Sequence, residues 1–346
     1  MSDTSEVTAG VVVVGAGSWG TTIARLVAKK GPTTLWARSS DLAELLTTTR
    51  ENPRYLPGIV LPATLHAASS LADAVADAAV VLVAVPSHGF RGVLETMAPS
   101  LPAQAAVVSL AKGIEAGTNK RMSEIVADVL PGHPVGVLTG PNLSHEVATG
   151  QPAATVVACA DEAVARRVQE LLHCATLRVY TGTDVVGCEI AGASKNVIAI
   201  AAGVCDGLGF GENTRAVLVT RGLAEQARLG VALGGRALTF GGLAGVGDLV
   251  ATCTSTQSRN RSVGFELGCG RSLDEVLSGM RMVAEGVRTA GPLVALARAH
   301  NVEMPIAEQV AALVAGETSP AEALASLMER PPRPEWDDAL LRETKG

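Results

Sequence analysis

A single lysine, Lys195, lies in the middle of a long run of small and apolar residues. The run Cys188–Gly203 reads CEIAGASKNVIAIAAG, and this pattern predicts a helix that is apolar on nearly every side. Such a helix is normally buried, and an unpaired ammonium group is costly there. The lysine could instead extend along its aliphatic stem to the surface. Its neighbours one helical turn away, Ala191, Gly192 and Ala199, are small and leave room for a ligand. Lys195 is therefore a candidate catalytic residue.

Three polar stretches in the C-terminal half could act together with this lysine. The glycine-rich segment 241–248 presents one carboxylate, Asp248. The segment 258–261, SRNR, combines guanidinium groups with hydroxyl and amide donors that can bind a phosphate, although such a cluster could equally be a solvated loop. The segment 283–286 is a third candidate turn, and its Glu285 taken alone would be a surface residue.

The sequence near the N-terminus has the pattern of a turn that binds a phosphate-containing ligand. A short β-branched strand, residues 10–14, runs into the sequence GAGSWG and then into a helical pattern. In this context Gly15 permits the tight turn, Gly17 lets the backbone approach a pyrophosphate, and Gly20 lets the helix pack on the strand. The positive end of the helix dipole would face the phosphates. The segment therefore predicts a dinucleotide-binding turn.

The end of the second predicted strand bears on the choice of cofactor. A site selective for NAD usually ends this strand with an acidic residue that holds the ribose 2′-hydroxyl. Here the strand 33–37 is followed by Arg38, which suits a 2′-phosphate. The sequence thus favours NADP, and use of both cofactors remains open.

Further strands predict how these residues are positioned. The runs 78–85, 105–110 and 135–139 are apolar on both faces, as in a parallel sheet. They deliver Pro86-Ser87, Lys112 and Gly140-Pro141-Asn142 to one edge of the sheet, where ligands of open α/β folds bind. Lys112 could also be an ordinary loop lysine.

Composition excludes several classes of protein. The 346 residues carry a net charge of −6, with 47% hydrophobic and 18% charged residues, as in a globular chain without a basic field for nucleic acid. No signal-peptide pattern and no uninterrupted apolar run of about 18 residues is present, so we expect a cytoplasmic protein without a membrane span. The six cysteines are scattered and lack metal-ligand spacing, so we expect reduced thiols and no metal.

The pattern changes near residue 186, where strands give way to helical segments. These segments are predicted at 187–203, 214–230, 272–277, 288–300, 304–315 and 320–329. We therefore predict an α/β Rossmann-type dinucleotide-binding domain over 1–186 and an all-α substrate and catalytic domain over 187–330. Residues 331–346 are expected to form a polar tail, loosely docked or disordered. An all-α second domain commonly offers a surface for a homodimer.

Taken together and in order, the motifs resemble a known family. They are GAGSWG, NPRYLPG, AVPS, AKGIE, GPN, IAGASKNVIAIAAG, NTRAVLVTRGLAE, TFGGLAGVGDL and TSTQSRNR, and they extend over roughly residues 10–330. This set resembles the bacterial-type NAD(P)-dependent glycerol-3-phosphate dehydrogenases. The resemblance implies reversible hydride transfer between a nicotinamide cofactor and dihydroxyacetone phosphate, giving sn-glycerol 3-phosphate for membrane phospholipid synthesis.

The resemblance also implies roles for individual residues. Lys195 would be the general acid/base, and Asp248 and Asn260 would contact the glycerol portion. The remaining implied substrate contacts are Lys112, Gly140, Asn142, Ser258 and Arg259, the last of which also reaches the cofactor. The implied cofactor contacts, besides the glycines of the turn, are Ser18, Trp19, Arg38, Tyr55, Lys112, Ser144, Val283 and Glu285.

Two rival functions are weighed against this one. One is another two-domain hydroxyacid or sugar dehydrogenase with the same architecture, because fold alone does not define a substrate. The other is a non-catalytic dinucleotide-binding sensor. A sensor would need the glycine turn but not Lys195, Asp248 and Arg259, so the sequence argues against it.

Overall fold

The computed structural model describes residues 10–280, 284–332 and 334–335. They form two compact units. The first contains Met122–Val185 and the described residues up to Ala111, and the second contains Lys112–Arg121 and the described residues from Val186 onward. The segment 112–121 therefore belongs by its contacts to the second unit, although it is flanked in sequence by the first.

The first unit is built on an eight-stranded sheet with the order β10-β9-β8-β7-β6-β1-β2-β5, and the other two strands form an antiparallel pair, β3-β4. The strands are β1 Val11–Val14, β2 Thr33–Trp36, β3 Glu51–Asn52, β4 Leu56–Val60, β5 Leu65–Ala68, β6 Val80–Val83, β7 Ala106–Ser109, β8 Val135–Thr139, β9 Ala153–Cys159 and β10 Leu177–Gly182.

The direction of the strands determines at which edge of the sheet the turns with the candidate site residues lie. The strands from β5 through β2, β1, β6 and β7 to β8 are mutually parallel, and within the eight-stranded sheet only the described β8–β9 pair is antiparallel. The chain leaves β1 toward β2 on one side and later returns to β6 on the other, which creates a topological switch point. Ligands of such sheets bind beside the carboxyl ends of the strands at this point.

Alternate residues of the central strands β1 and β6 contribute to two separate apolar cores. Val11 and Val13 of β1 belong to one apolar cluster, whereas Val12 and Val14 belong to another. This alternation follows from the two-residue period of a strand, and helices cover both faces of the sheet. The helices of this unit are α1 Ser18–Ala28, α2 Ser40–Thr49, α3 Leu71–Val75, α4 Phe90–Met97, α5 Met122–Val129, α6 Ser144–Thr149 and α7 Glu162–Leu172.

All the regular elements described in the second unit are helices. They are α8 Val185–Gly207 (which starts one residue before the unit boundary), α9 Glu212–Ala232, α10 Ala237–Phe240, a π-helical turn Leu243–Gly247, α11 Asp248–Thr254, α12 Arg259–Gly268, α13 Leu273–Ser278, α14 Glu285–Ala299, α15 Pro305–Ala315 and α16 Pro320–Met328. The predicted fold class, a Rossmann-type domain followed by an all-α domain, is confirmed. The exact domain boundaries and the character of the 331–346 tail remain predictions.

Glycines bring α8 and α12 into close contact. A Cβ atom on Gly264 would lie 1.9 Å from the backbone oxygen of Ile200, and one on Gly203 would lie 2.0 Å from that of Arg261. One turn further on, a Cβ on Gly207 would lie 2.3 Å from the Phe265 oxygen and one on Gly268 would lie 2.5 Å from the Val204 oxygen. Because the two backbones touch here, α8 continues through Gly203 to Gly207 instead of ending at the glycine.

Other elements also differ from the sequence prediction. The NPRYLPG motif, for which no strand is predicted, lies in the β3–β4 pair, and the segment 258–261 forms the N-cap and first residues of helix α12. Glu285 lies in the first turn of α14 and not in a turn between elements. Two helical segments, Val185–Gly207 and Ala237–Thr254, are long and apolar enough to cross a membrane by length and composition. The most apolar window of the first is 83% buried within the protein, as in a core helix.

Candidate active site

The glycine-rich turn after β1 has the geometry that a dinucleotide requires. Gly15 has a φ of +114°, and a Cβ on Gly20 would lie 1.9 Å from the Gly15 oxygen. Gly17 faces open space, since a Cβ atom at this position would meet nothing within 4 Å. No side chain caps the helix that starts at Ser18. The indole Nε1 of Trp19 is buried without a hydrogen-bond partner in the described part of the chain. These features fit a bound dinucleotide phosphate.

A buried asparagine fixes this turn from behind. The side-chain Nδ2 of Asn52 donates to the Ala16 carbonyl at 3.0 Å and to the Thr21 hydroxyl at 2.8 Å. Its Oδ1 accepts from the backbone N–H of Tyr55 at 3.2 Å. Asn52 therefore connects the glycine turn to the predicted cofactor contact Tyr55, which packs on the core of the sheet. The sequence analysis did not single out Asn52.

Two serines predicted as cofactor contacts, Ser18 at the start of α1 and Ser144 at the start of α6, have backbone carbonyls that lie close together. The hydroxyl of Thr22 donates to the Ser18 carbonyl at 2.9 Å and to the Ser144 carbonyl at 3.2 Å. Arg38 is exposed just after the end of β2. All of these positions belong to the sheet unit and lie around the turn or at the end of a neighbouring strand.

The end of β8 carries the pair Gly140 and Asn142. Gly140 has a φ of +141°, and a Cβ there would come within 3.1 Å of the Thr155 backbone. Asn142 donates through Nδ2 to the Thr155 hydroxyl at 3.0 Å, while its buried Oδ1 has no hydrogen-bond partner among the residues described. An unpartnered buried acceptor is costly unless a ligand or water satisfies it.

A buried polar cluster of the helical unit surrounds Lys195. This residue, at the middle of α8, is 7% exposed, and its Nζ lies 2.5 Å from Asp248 Oδ1. Its ammonium also donates to the Thr252 hydroxyl at 2.7 Å. The second carboxylate oxygen of Asp248 is 2.6 Å from the Nζ of Lys112. One aspartate, itself 1% exposed, is therefore shared by two ammonium groups.

This environment shifts the proton affinity of the buried amine. Burial lowers the pKa of Lys195 from 10.5 to about 8, the carboxylate of Asp248 opposes that change, and the nearby cation Lys112 adds to it. An amine that titrates near neutral pH can exchange a proton with a substrate. Asp248 holds the amine in place and limits how far its pKa falls.

An amide network links this cluster to α12 and α14. Asn196 donates through Nδ2 to the backbone carbonyl of Lys112 at 2.9 Å and accepts through Oδ1 from Asn260 Nδ2 at 2.9 Å. Asn260 Oδ1 in turn accepts from the Gly286 backbone N–H at 2.9 Å. Both amides are buried. Two predicted substrate contacts, Lys112 and Asn260, are thus connected to Lys195 through its neighbour Asn196.

The other predicted residues of the SRNR segment have distinct surroundings. Ser258 caps α12 by accepting from the Arg261 backbone N–H at 3.3 Å. Arg261 is paired with Asp206, at 2.6 Å. Arg259, at the first helical position, keeps much of its surface accessible. The neighbouring protein still removes part of the water around its guanidinium group, which lowers its pKa, and the carboxylate of Glu285 opposes this change. The predicted cofactor contact Val283 lies outside the described residues.

Thr252 and Asn196 are polar partners that the sequence analysis missed. Thr252 follows Asp248 by four residues on α11, so a helical reading of that segment would have placed both on one face. Asn196 is adjacent to Lys195 and was treated as part of an apolar run. Among the residues described, no group of three His, Cys, Asp or Glu side chains could hold a metal ion.

The fold and these two clusters define a class of protein. A doubly wound sheet with a glycine-rich first turn, joined to an all-helical unit with a buried lysine–aspartate pair, is the architecture of a nicotinamide-dependent dehydrogenase.

Comparison with known proteins identifies the family. Two protein-family models match the chain. The family model described as the NAD-dependent glycerol-3-phosphate dehydrogenase N-terminus matches residues 10–165, and the one described as its C-terminus matches residues 184–325. The chain belongs to the NAD-dependent glycerol-3-phosphate dehydrogenase family, and the resemblance seen in its motifs is confirmed.

Individual relatives agree with this assignment. A glycerol-3-phosphate dehydrogenase [NAD(P)+] 2 of Sphingopyxis alaskensis is 53% identical, with 92% of this chain and 96% of the relative covered. A glycerol-3-phosphate dehydrogenase [NAD(P)+] of Thermobifida fusca is 50% identical over 94% of this chain and 98% of its own. The crystal structure of glycerol-3-phosphate dehydrogenase (gpsA) from Coxiella burnetii matches with a TM-score of 0.90 and 38% identity, covering 94% of this chain and all of that one.

Proposed function

We propose that this chain catalyses the reversible reduction of dihydroxyacetone phosphate to sn-glycerol 3-phosphate with a nicotinamide dinucleotide. The observation that carries the proposal is the buried Lys195–Asp248 pair, 2.5 Å apart, in a member of this family. The names of its relatives, which match over nearly their whole length, support the same activity. The product would supply glycerophospholipid synthesis.

The sheet unit would supply most of the contacts to the cofactor. The bound nicotinamide supplies a hydride in one direction and accepts it in the other. The turn at Gly15, Gly17 and Gly20 and the start of α1 would bind its pyrophosphate. The further proposed cofactor contacts are Ser18, Trp19, Arg38, Tyr55, Lys112, Ser144, Arg259, Val283 and Glu285.

Lys195 would move the proton. During reduction its ammonium donates a proton to the carbonyl oxygen of the substrate, which becomes the alcohol. In the reverse direction the neutral amine accepts that proton from the hydroxyl group. Asp248 and Thr252 keep the amine in one orientation through bonds of 2.5 and 2.7 Å.

The phosphate of the substrate would supply binding energy at a distance from the reacting carbon. Such remote binding positions the carbonyl for the chemical step. The proposed substrate contacts are Lys112, Gly140, Asn142, Lys195, Asp248, Ser258, Arg259 and Asn260. Arg259 supplies the guanidinium group that we propose binds this phosphate, as the resemblance implies.

Arg38 would favour NADP, because a guanidinium at this strand end can pair with a ribose 2′-phosphate. The names of the relatives include both cofactors. A homodimer and a cytoplasmic location complete the proposal.

The substrate phosphate separates this function from its rivals. Oxidation of NADH and NADPH is followed at 340 nm with dihydroxyacetone phosphate or with dihydroxyacetone at equal concentration. We expect rapid oxidation with the phosphorylated ketone and almost none with the other. Equal rates would favour a dehydrogenase without phosphate recognition, and no oxidation with binding of the cofactor would favour a sensor.

A further inference from the structure

The residues Lys112–Arg121, here called the strap, connect β7 to α5 but make their contacts with the helical unit. At the start of the strap, the Lys112 carbonyl accepts from Asn196 at 2.9 Å and its ammonium lies 2.6 Å from Asp248. The position of this ammonium therefore depends on how the strap is held.

A buried ion pair holds the other end of the strap. Arg121 Nη1 lies 2.7 Å from Glu189 Oε2, and the side chains are 14% and 4% exposed. Glu189 belongs to α8, the helix that carries Lys195. The two ends of the strap are thus attached to the same helix, one through Arg121 and the other through Asn196.

The strap between these two attachments is a closed turn. The backbone N–H of Glu115 donates to the Lys120 carbonyl at 3.0 Å, and that of Asn119 donates back to the Glu115 carbonyl at 3.0 Å. Such bonds restrict how far one end can move without the other. A buried ion pair in itself adds little net stability, because desolvation offsets the attraction between the charges, and its best-attested use is to fix one arrangement.

We propose that the Arg121–Glu189 ion pair is a positioning device that fixes the strap on α8 and so holds the Lys112 ammonium against Asp248. The inference rests on the proposed function in one respect, namely that Lys195 is the proton donor whose behaviour reports on the strap. Arg121 and Glu189 are positioning residues, since they act through Lys112.

Release of the strap can be measured because it would change the surroundings of the Lys195 amine. The groups that act on its pKa are Asp248 and Cys253 on α11, which raise it, and Lys112 on the strap, which lowers it together with burial. A released strap would remove the Lys112 charge and also admit water. Both changes raise the pKa of Lys195.

The test compares Arg121→Gln and Glu189→Gln with wild type by the pH dependence of kcat/KM for reduction of dihydroxyacetone phosphate. We expect the alkaline limb to move upward by about half a unit to one unit in both variants. Arg121→Lys keeps the charge and should restore the wild-type profile. Arg271→Gln is the control, because it removes an exposed ion pair with Glu266, at 3.0 Å, in the same unit.

Thermal unfolding measured in parallel separates positioning from general stability. A lower melting temperature with an unchanged pH profile would overturn the proposal, as would a profile that moves equally in Arg271→Gln. If Glu189→Gln fails to fold, Arg121→Gln and Arg121→Lys still test the ion pair, because Arg121 is the less buried partner. The pH profiles of these two variants are then compared with each other. Absence of reduction by the wild type would refute the proposed function and not the strap.

Discussion

At the scale of single residues, the proposed chemistry depends on the ammonium group of Lys195, which is buried and paired with a carboxylate. Lys195 shares Asp248 with Lys112 and donates to Thr252. Burial alone would favour the neutral amine, whereas the aspartate favours the charged form. The balance leaves the pKa of Lys195 at about 8, so that both protonation states are accessible.

Replacement of Lys195 by methionine, which keeps the length of the side chain but cannot donate a proton, tests its role. We expect kcat for reduction to fall by about 10²- to 10⁴-fold. Cofactor affinity, measured by fluorescence titration, should be retained because the glycine turn is untouched. Lys29→Met, at an exposed position, is the control and should keep full activity. Undiminished turnover in Lys195→Met would exclude the proton transfer.

The direction of the pH dependence follows from the same group. Reduction needs the protonated amine, so its kcat/KM should decline as pH rises through about 8. Oxidation needs the neutral amine, so its kcat/KM should rise through the same range. Steady-state measurements of kcat/KM in both directions between about pH 6 and pH 10 check this. If kcat/KM changed with pH in the same way for reduction and oxidation, the prediction would be contradicted.

Arg38 tests the choice of cofactor. Arg38→Ala should raise KM for NADPH by about tenfold or more, because a charge-assisted contact with the 2′-phosphate is lost. The KM for NADH should change little, since NADH lacks that phosphate. Similar changes for both cofactors would show that Arg38 does not distinguish them.

At the scale of elements, close packing of α8 against α12 aligns the amides of the site. Contacts of glycine with backbone bring the helices together along Gly203, Gly207, Gly264 and Gly268. Asn260, on the first turn of α12, can therefore reach Asn196 on α8 at 2.9 Å. A larger residue at the contact would separate the helices and weaken this bond.

Gly264→Ala tests that packing. Its Cβ would meet the Ile200 backbone oxygen at 1.9 Å, which backbone movement must relieve. We expect a loss of about 1–3 kcal/mol in the free energy of unfolding and a lower kcat. Gly291→Ala is the matched control, since a Cβ at this exposed position in α14 meets nothing within 4 Å and should improve helix propensity. Denaturant unfolding measures the free energy of unfolding of both variants. Equal changes in the two would refute the packing argument.

At the scale of the whole molecule, the stability of the helical unit includes a buried carboxylate outside the proposed site. Glu225 on α9 is 3% exposed and accepts from the backbone N–H groups of Ile306 at 2.8 Å and Ala307 at 3.3 Å, at the start of α15. Burial raises the pKa of Glu225 from 4.5 to about 7, although these two bonds oppose it. This side chain thus connects two helices distant in sequence.

The raised pKa predicts how stability depends on pH. The folded state holds the Glu225 proton more tightly than the unfolded chain does, so its contribution is full below about pH 4.5 and is lost as pH rises through about 7. The loss amounts to about 3 kcal/mol by linkage. In Glu225→Gln this part of the decline should disappear, whereas the exposed control Glu317→Gln should follow wild type. Denaturant unfolding between pH 4 and 8 measures the difference, and identical slopes would contradict the prediction.

Local periodicity and a charge placed in an apolar run were enough to predict the fold class, the glycine turn and a role for Lys195. The fold class is confirmed, whereas the catalytic role of Lys195 stays a prediction. The groups that surround the Lys195 charge became visible only in the folded chain. The sharing of Asp248 with Lys112, the Asn196–Asn260 contact and the attachment of the strap through Arg121 each join residues far apart in sequence. Local patterns carry no information about such pairs, since they form only when glycine-mediated helix packing and the path of the strap bring the backbones together.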